Sequence, residues 1–164
     1  MAKTKQAQEN KTLVQELSAL IKNGSAHAGL DDILKGIPEK KRGIVPQGLP
    51  YSIWQIAEHI RIAQWDMLEF SRDPKHKSPK WPDEYWPMEA APKSSTDWQQ
   101  CLKSIKSDRK EFIDLINDKE ADLHTSFEWG SGQTLLKEAL QLADHNAYHA
   151  AEILVIRRLL GIWE

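Results

Sequence analysis

The sequence predicts an all-α fold, a four-helix bundle with one long crossover loop rich in proline and tryptophan. Three observations carry this. Apolar residues recur at helical spacing in four long stretches. No stretch alternates apolar and polar residues as a half-buried strand does, and no Asn-Gly hairpin signal occurs. Two of the helical stretches open on a serine or threonine followed three residues later by glutamine, the spacing of a capping box.

The first stretch, from about residue 9 to 23, places Leu13, Leu17, Leu20 and Ile21 on one face and stops at Gly24, a residue suited to the left-handed conformation that ends helices. Residues 1–8 read as a polar tail before a single domain over 9–164. A short piece over residues 31–35 presents Leu30, Ile33 and Leu34, after which Pro38, Gly43, Pro46, Gly48 and Pro50 break the chain. Ser52-Ile-Trp-Gln55 then opens a helix to about Phe70, with Ile56, Ile60, Ala63 and Met67 in its stripe. Five of the eight prolines fall within residues 72–95. A loop of this length is either an ordered crossover packed on the bundle or a substrate lid, and Trp81, Tyr85 and Trp86 are too apolar to stand free in water. Thr96-Asp-Trp-Gln99 opens a helix to about Asn117 carrying Trp98, Leu102, Ile105, Phe112, Leu115 and Ile116. After residues 118–132, Thr134 starts a final helix that passes Arg157-Arg158 toward Leu160 and stops at Gly161.

A chain of 164 residues buries one ordinary core, so one domain is expected. With 22 basic and 24 acidic residues, a net charge of -2 and no block of like charges, nucleic acid and anionic membrane are poor partners. The basic clusters, Lys3, Lys5 and Lys11, and Lys40-Lys41-Arg42, read as solvent-facing surface. No apolar run is long enough to span a membrane and the first ten residues lack a signal core, so a soluble, cytoplasmic protein is expected. Cys101 is the single cysteine, which rules out an intrachain disulfide and a cysteine-based metal cage; it reads as a small semi-buried residue. Neither a glycine-rich phosphate loop nor a Gly-x-Ser-x-Gly elbow is found.

The histidines carry the chemistry. His145 and His149 are four residues apart on the last helix, about 40° around its axis and about 6 Å along it, so both rings can address one small object. They belong to the stripe of Leu142, Asn146, Ile153, Ile156 and Leu160, and His59 lies beside the Ile56 and Ala63 stripe of another helix. A buried imidazole left without partners costs about 1–3 kcal/mol for each unpaired polar group. One divalent ion would serve three rings at once, and zinc, nickel, iron and manganese all accept nitrogen ligands with positions left for water or substrate. The residues alone leave a second reading open, in which these histidines are hydrogen-bonded core residues. His27, His76 and His124 lie in or near loops and read as exposed, and Glu58, Asp66, Asp144 and Glu152 read as surface charges rather than acceptors that orient the rings. The motif His145-Asn-Ala-Tyr-His149 lacks the glutamate that a zincin protease places beside its first histidine, which disfavours peptidase chemistry.

Ser52-Ile-Trp-Gln-Ile-Ala-Glu-His59-Ile and the segment from Thr134 to Asp-His145-Asn-Ala-Tyr-His149, together with the order of helices and the crossover, resemble the DinB/YfiT-like family of metal-dependent enzymes from about residue 10 to 163. The resemblance implies an up-down-down-up four-helix bundle, frequently a homodimer, with His59, His145 and His149 on one divalent metal: zinc or nickel first, iron or manganese next. It implies no single reaction, because similar proteins include bacillithiol S-transferases and maleylpyruvate-isomerase-like enzymes. The expected function is a thiol S-transferase or related hydrolase acting on a small-molecule substrate, a low-molecular-weight thiol among the candidates, although the sequence carries no recognisable thiol-cofactor motif. The rival reading is a non-catalytic, dimeric helical binding or stress-related protein with a structural metal or none. An open coordination position beside a pocket favours the enzyme, and a filled shell without a cavity favours the binder.

Overall fold

The computed structural model describes residues 2–163, with side chains at residue 8 and from residue 10 onward. The surface reading of Lys3 and Lys5 lies outside those side chains. Five α-helices follow in order: α1 (Ala2–Asn23), α2 (Leu30–Leu34), α3 (Ile53–Arg72), α4 (Ser95–Asn117) and α5 (Leu135–Leu159). Among the described residues there is no strand, only one isolated bridge between Ser126 and Thr134. No described helix is long and apolar enough to cross a membrane.

Helix α1 begins at Ala2, not near residue 9, because its first turns carry no apolar stripe for periodicity to find. It ends where expected, with Gly24 at a φ of 68°. Ser52 and Gln55 make the anticipated reciprocal capping box at α3, which runs two residues past Phe70 to Arg72. The cap of α4 differs from expectation: Ser94, not Thr96, accepts the hydrogen bond, from the Asp97 amide, and Thr96 lies inside the first turn. Ser94-Ser95-Thr96 offers three hydroxyls in a row, and spacing alone does not choose among them. Thr134 caps α5 through the Lys137 amide.

Helix α3 packs on α4 and α5, α1 packs on the same two helices, and α2 packs on α5. Contacts along the seams give the chain directions. Going up α3, Trp54 meets Trp98, Gln64 donates to the Ile105 carbonyl at 2.6 Å and Arg72 pairs with Glu111 at 2.7 Å, so α3 and α4 run the same way. His59 meets His149 while Gln64 meets Asn146, so α5 runs against α3.

The apolar interior falls into two clusters. One gathers α2 with Ile53, Ile56 and Ile60 of α3 and Ile153 and Ile156 of α5; the other gathers Leu17 and Ile21 with Met67, Leu68, Phe112, Ala139 and Leu142. Between them the α3–α5 seam is polar, made of His59, Gln64, Asn146 and His149, all buried, with His145 half-buried beside them. Gln64 ties this layer to α4 and α5 by donating to Ile105 and accepting from Asn146 at 3.1 Å.

The long crossover is ordered by α3's own cap. The Ser52 hydroxyl also donates to the Ala90 carbonyl and Gln55 Nε2 donates to the Pro87 carbonyl at 3.2 Å, so the residues that start the helix also hold the loop against it. Trp86 stacks on Tyr51 at 3.9 Å between centroids. Trp81, against expectation, is 70 % exposed.

Phe112 is fully buried in the second cluster, away from the polar seam. Phe112→Ala should lower the unfolding free energy by about 3–5 kcal/mol in urea denaturation, since the cavity cannot close against helices held from both sides. Thr134→Ala should cost only about 1 kcal/mol, the usual value of a lost helix cap.

Candidate metal centre

His59 comes from the second turn of α3, and His145 and His149 from adjacent turns of α5. The structure brings these three sequence-predicted residues together. Their ring centroids lie 4.9 Å (His59–His145), 4.6 Å (His59–His149) and 4.5 Å (His145–His149) apart. One nitrogen from each falls within 4.8 Å of the other two. His59 and His149 are buried and His145 is half-buried.

Hydrogen bonds set the tautomers. A carbonyl oxygen and a carboxylate can only accept, so His59 Nδ1–H donates to the Tyr85 carbonyl at 2.9 Å and His149 Nδ1–H donates to Glu152 Oε2 at 2.6 Å. Both rings then carry a bare Nε2. His145 Nε2 stands 3.0 Å from His59 Nε2, and His145 Nδ1 is buried with no hydrogen-bond partner among the described residues. If His145 holds its proton on Nδ1, two bare lone pairs face each other across 3.0 Å, a contact that only a cation between them makes favourable. If it holds the proton on Nε2, its other nitrogen goes unpaired.

The donor set fits a divalent ion. Metal–nitrogen bonds of about 2.0–2.1 Å at tetrahedral angles separate ligand nitrogens by about 3.4 Å, between the 3.0 Å contact and the 4.8 Å outer bound seen here. All three rings are also held neutral, the form that ligates. Burial, then the charges of His149 and His59, pushes His145 down to about 3. Burial, then His59, pushes His149 down to about 4, and burial lowers His59 against the opposing Tyr85 hydrogen bond.

Aromatic rings fix the geometry further. Trp86 stacks on His59 at 3.8 Å and 5°, continuing the Tyr51–Trp86 pair into a three-ring pile, and Tyr148 packs edgewise on His149 at 4.9 Å. The histidines form one wall of a cavity of about 530 Å³ bounded also by Met67, Phe70, Trp81 and Tyr85. Trp81, though exposed, stands 6.3 Å from the His59 ring at the mouth of this cavity.

Several residues behave differently from the sequence reading. Glu152 is not a free surface charge but the acceptor that orients His149, three residues back on the same helix face. Asp66 is half-buried and accepts from the Tyr85 hydroxyl and from His76 Nε2 at 2.7 Å; His76 is accordingly not exposed but lies edge-on to Trp65. Glu58 pairs with Arg61 and Asp144 is exposed, as surface charges should be. His27 and His124 are exposed. Cys101 is fully buried, with its thiol pushed up by burial, so it is an inert core residue. Glu138, which the sequence reading passed over, is buried and lines the same cavity. Its signal was its position seven residues before His145, which puts both on one helical face.

Fold and site together define an all-helical protein with an open three-histidine cluster that could hold a divalent metal ion. A family model described as the DinB superfamily matches residues 25–153, and the chain belongs to that superfamily. No curated protein and no solved structure matches it.

The lowered histidine values give the metal-free protein a defined acid response. An unfolded histidine takes up a proton near 6.5, whereas folded His145 and His149 resist it down to about 3 and about 4. Their contribution to stability is therefore whole above about pH 6.5 and declines as pH falls toward 4. Denaturation of the metal-free protein at stepped pH should show this decline, and His145→Ala should flatten the slope between pH 6.5 and 4.5; an equal slope in both would contradict the assignment.

Proposed function

We propose that the protein is a divalent-metal-dependent enzyme acting on small molecules, a thiol S-transferase or related hydrolase, with His59, His145 and His149 as its metal ligands. Nitrogen-only donors rank zinc and nickel ahead of iron and manganese. The observation that carries this reading is that the three neutral imidazoles open onto a cavity of about 530 Å³ instead of closing around one another in a sealed core. That opening favours an enzyme over a binding protein with a structural ion. A metal ion held there would supply Lewis-acid charge that lowers the pKa of a thiol or water set against it.

The chain's own groups do the rest. Glu152 and the Tyr85 carbonyl hold the two Nδ1 protons, which keeps both Nε2 lone pairs aimed inward. Trp86 fixes the plane of His59, while Trp81 and Tyr85 flank the cavity. The reading extends to an up-down-down-up order of α1, α3, α4 and α5, supported by the parallel α3–α4 contacts and the antiparallel α3–α5 contacts. It extends also to a homodimer, supported by Tyr148, Val155 and Leu159, which leave an apolar stripe exposed along α5.

Elemental analysis of protein purified without chelator or nickel resin should find about one divalent ion per chain. His145→Ala and His149→Ala, still helical by circular dichroism, should lose it. Glu152→Gln should keep the fold and weaken metal affinity by about 10–100-fold, the usual effect of removing a histidine's carboxylate partner. Stoichiometric metal in either alanine variant would overturn the ligand assignment.

A further inference from the structure

The cavity has a second pole. From His59 the α3 face that lines it steps to Ala63, Asp66, Met67 and Phe70; from His145 the α5 face steps back to Gln141 and Glu138. Asp66 is seven residues after His59 and Glu138 is seven residues before His145, a rise of about 10 Å in each case. Because the two helices are antiparallel, both steps lead to the same end of the cavity. Burial raises the Glu138 carboxyl, and Asp66 is close enough there for its charge to add to that rise.

Glu138 is only 5 % exposed overall, its carboxylate makes no hydrogen bond or ion pair among the described residues, and the little surface it keeps opens onto the cavity it lines. A carboxylate held this deep, with only the cavity before it, is costly to desolvate unless a cation or donor entering the cavity pairs with it. The start of α5 favours negative charge in its first turn but offers this carboxylate no bonded donor. Lys137 also lines the cavity, and its charge opposes the rise at Glu138 without forming an ion pair to it. Asp66 is already engaged by Tyr85 and His76. Between the poles α3 contributes Ala63 and α5 contributes Gln141, and Met67 adds apolar surface level with Asp66.

We propose that Glu138, supported by Asp66, is a subsite for an ammonium group of the substrate, so that the cavity takes an elongated primary amine whose other end is the group presented to the histidines. The proposal deepens the metal-enzyme reading and rests on it only for the identity of that other end. A charge-assisted hydrogen bond from the ammonium would pair the carboxylate that faces the cavity, and the methylene chain would lie along Ala63 and Met67. The same site disfavours an anionic tail.

The test uses cobalt-loaded full-length protein and three thiols of equal chain length: aminohexanethiol, mercaptohexanol and mercaptohexanoate, titrated by the cobalt absorption bands. Aminohexanethiol should bind about tenfold tighter than mercaptohexanol, with mercaptohexanoate weakest. In Glu138→Gln the amine should fall to the level of the alcohol while the alcohol is unchanged. In parallel, hexylammonium is titrated into metal-free wild type and Glu138→Gln by tryptophan fluorescence, where the variant should bind about tenfold more weakly. Equal binding of amine and alcohol by wild type, or an amine preference that survives Glu138→Gln, overturns the subsite. Failure of cobalt uptake, or of every thiol to perturb its spectrum, overturns the metal reading instead; the hexylammonium titration then decides the subsite by itself, and equal or absent binding in both proteins rejects it.

Discussion

Three imidazoles at one level of an antiparallel helix seam impose a constraint that the rest of the molecule is arranged around. They must stay neutral, keep their lone pairs directed at a common point and lie between two apolar clusters that would each exclude them. Desolvation keeps them neutral. Direction is harder, because a histidine ring turns about two torsions and either nitrogen can carry the proton. Each of two rings is settled by one acceptor on Nδ1: a carboxylate one turn along for His149 and a loop carbonyl for His59. Gln64 and Asn146, next along the seam, hold α3, α4 and α5 in register with hydrogen bonds that would be lost if α5 slid by one turn.

The crossover loop follows from that constraint. The acceptor for His59 is a backbone carbonyl of Tyr85, so the loop must be fixed as firmly as a helix would be. It is fixed at both ends of the cavity. Near the histidines, the Tyr51–Trp86–His59 pile and the bonds from Ser52 and Gln55 to Ala90 and Pro87 hold it. Farther along, the Tyr85 hydroxyl and His76 both bind Asp66. The sequence left open whether this segment is an ordered crossover or a lid. Its hydrogen bonds hold it against α3, and Trp81, Tyr85 and Trp86 form one side of the cavity.

What the sequence made legible was periodic or local. Helical stripes, the Ser52 and Thr134 caps, the Gly24 and Gly161 stops and the i, i+4 histidine pair all follow from 3.6-residue geometry. The convergence of His59 on that pair followed from the family resemblance, since no local rule joins residues 86 apart in the chain. Illegible were the features decided by what lies opposite. Ser94 wins the α4 cap over Thr96 by backbone conformation, not by residue type. Glu152, Asp66 and Glu138 are ordinary acidic residues until the fold turns them toward a histidine, a tyrosine or a cavity. His76 looked exposed because its partner is on a helix that ended several residues earlier. Trp81 shows the converse: a large apolar ring left open because it edges a cavity that needs a mouth.

Of the three buried side-chain atoms without a hydrogen-bond partner among the described residues, Arg42 Nη1 lies beside Trp98 and the other two lie on the α3–α5 seam. His145 Nδ1 and Asn146 Oδ1 lie there with the bare Nε2 atoms, and the Glu138 carboxylate faces the cavity on the same side, whereas Ile60 and Ile153 on the same helices are packed to near-zero exposure. A sequence selected for stability alone would place leucine or alanine at positions 59, 138, 145 and 149 and continue the two clusters into one core. Three polar residues on one face of α5, at intervals of seven and four, with His59 of α3 opposite them, are therefore a departure from stability with a common direction. They leave nitrogen donors at one end of a single cavity and a carboxylate at the other, with Ala63 and Gln141 between. One elongated ligand carrying a donor for the carboxylate and a group for the histidines would meet both ends at once.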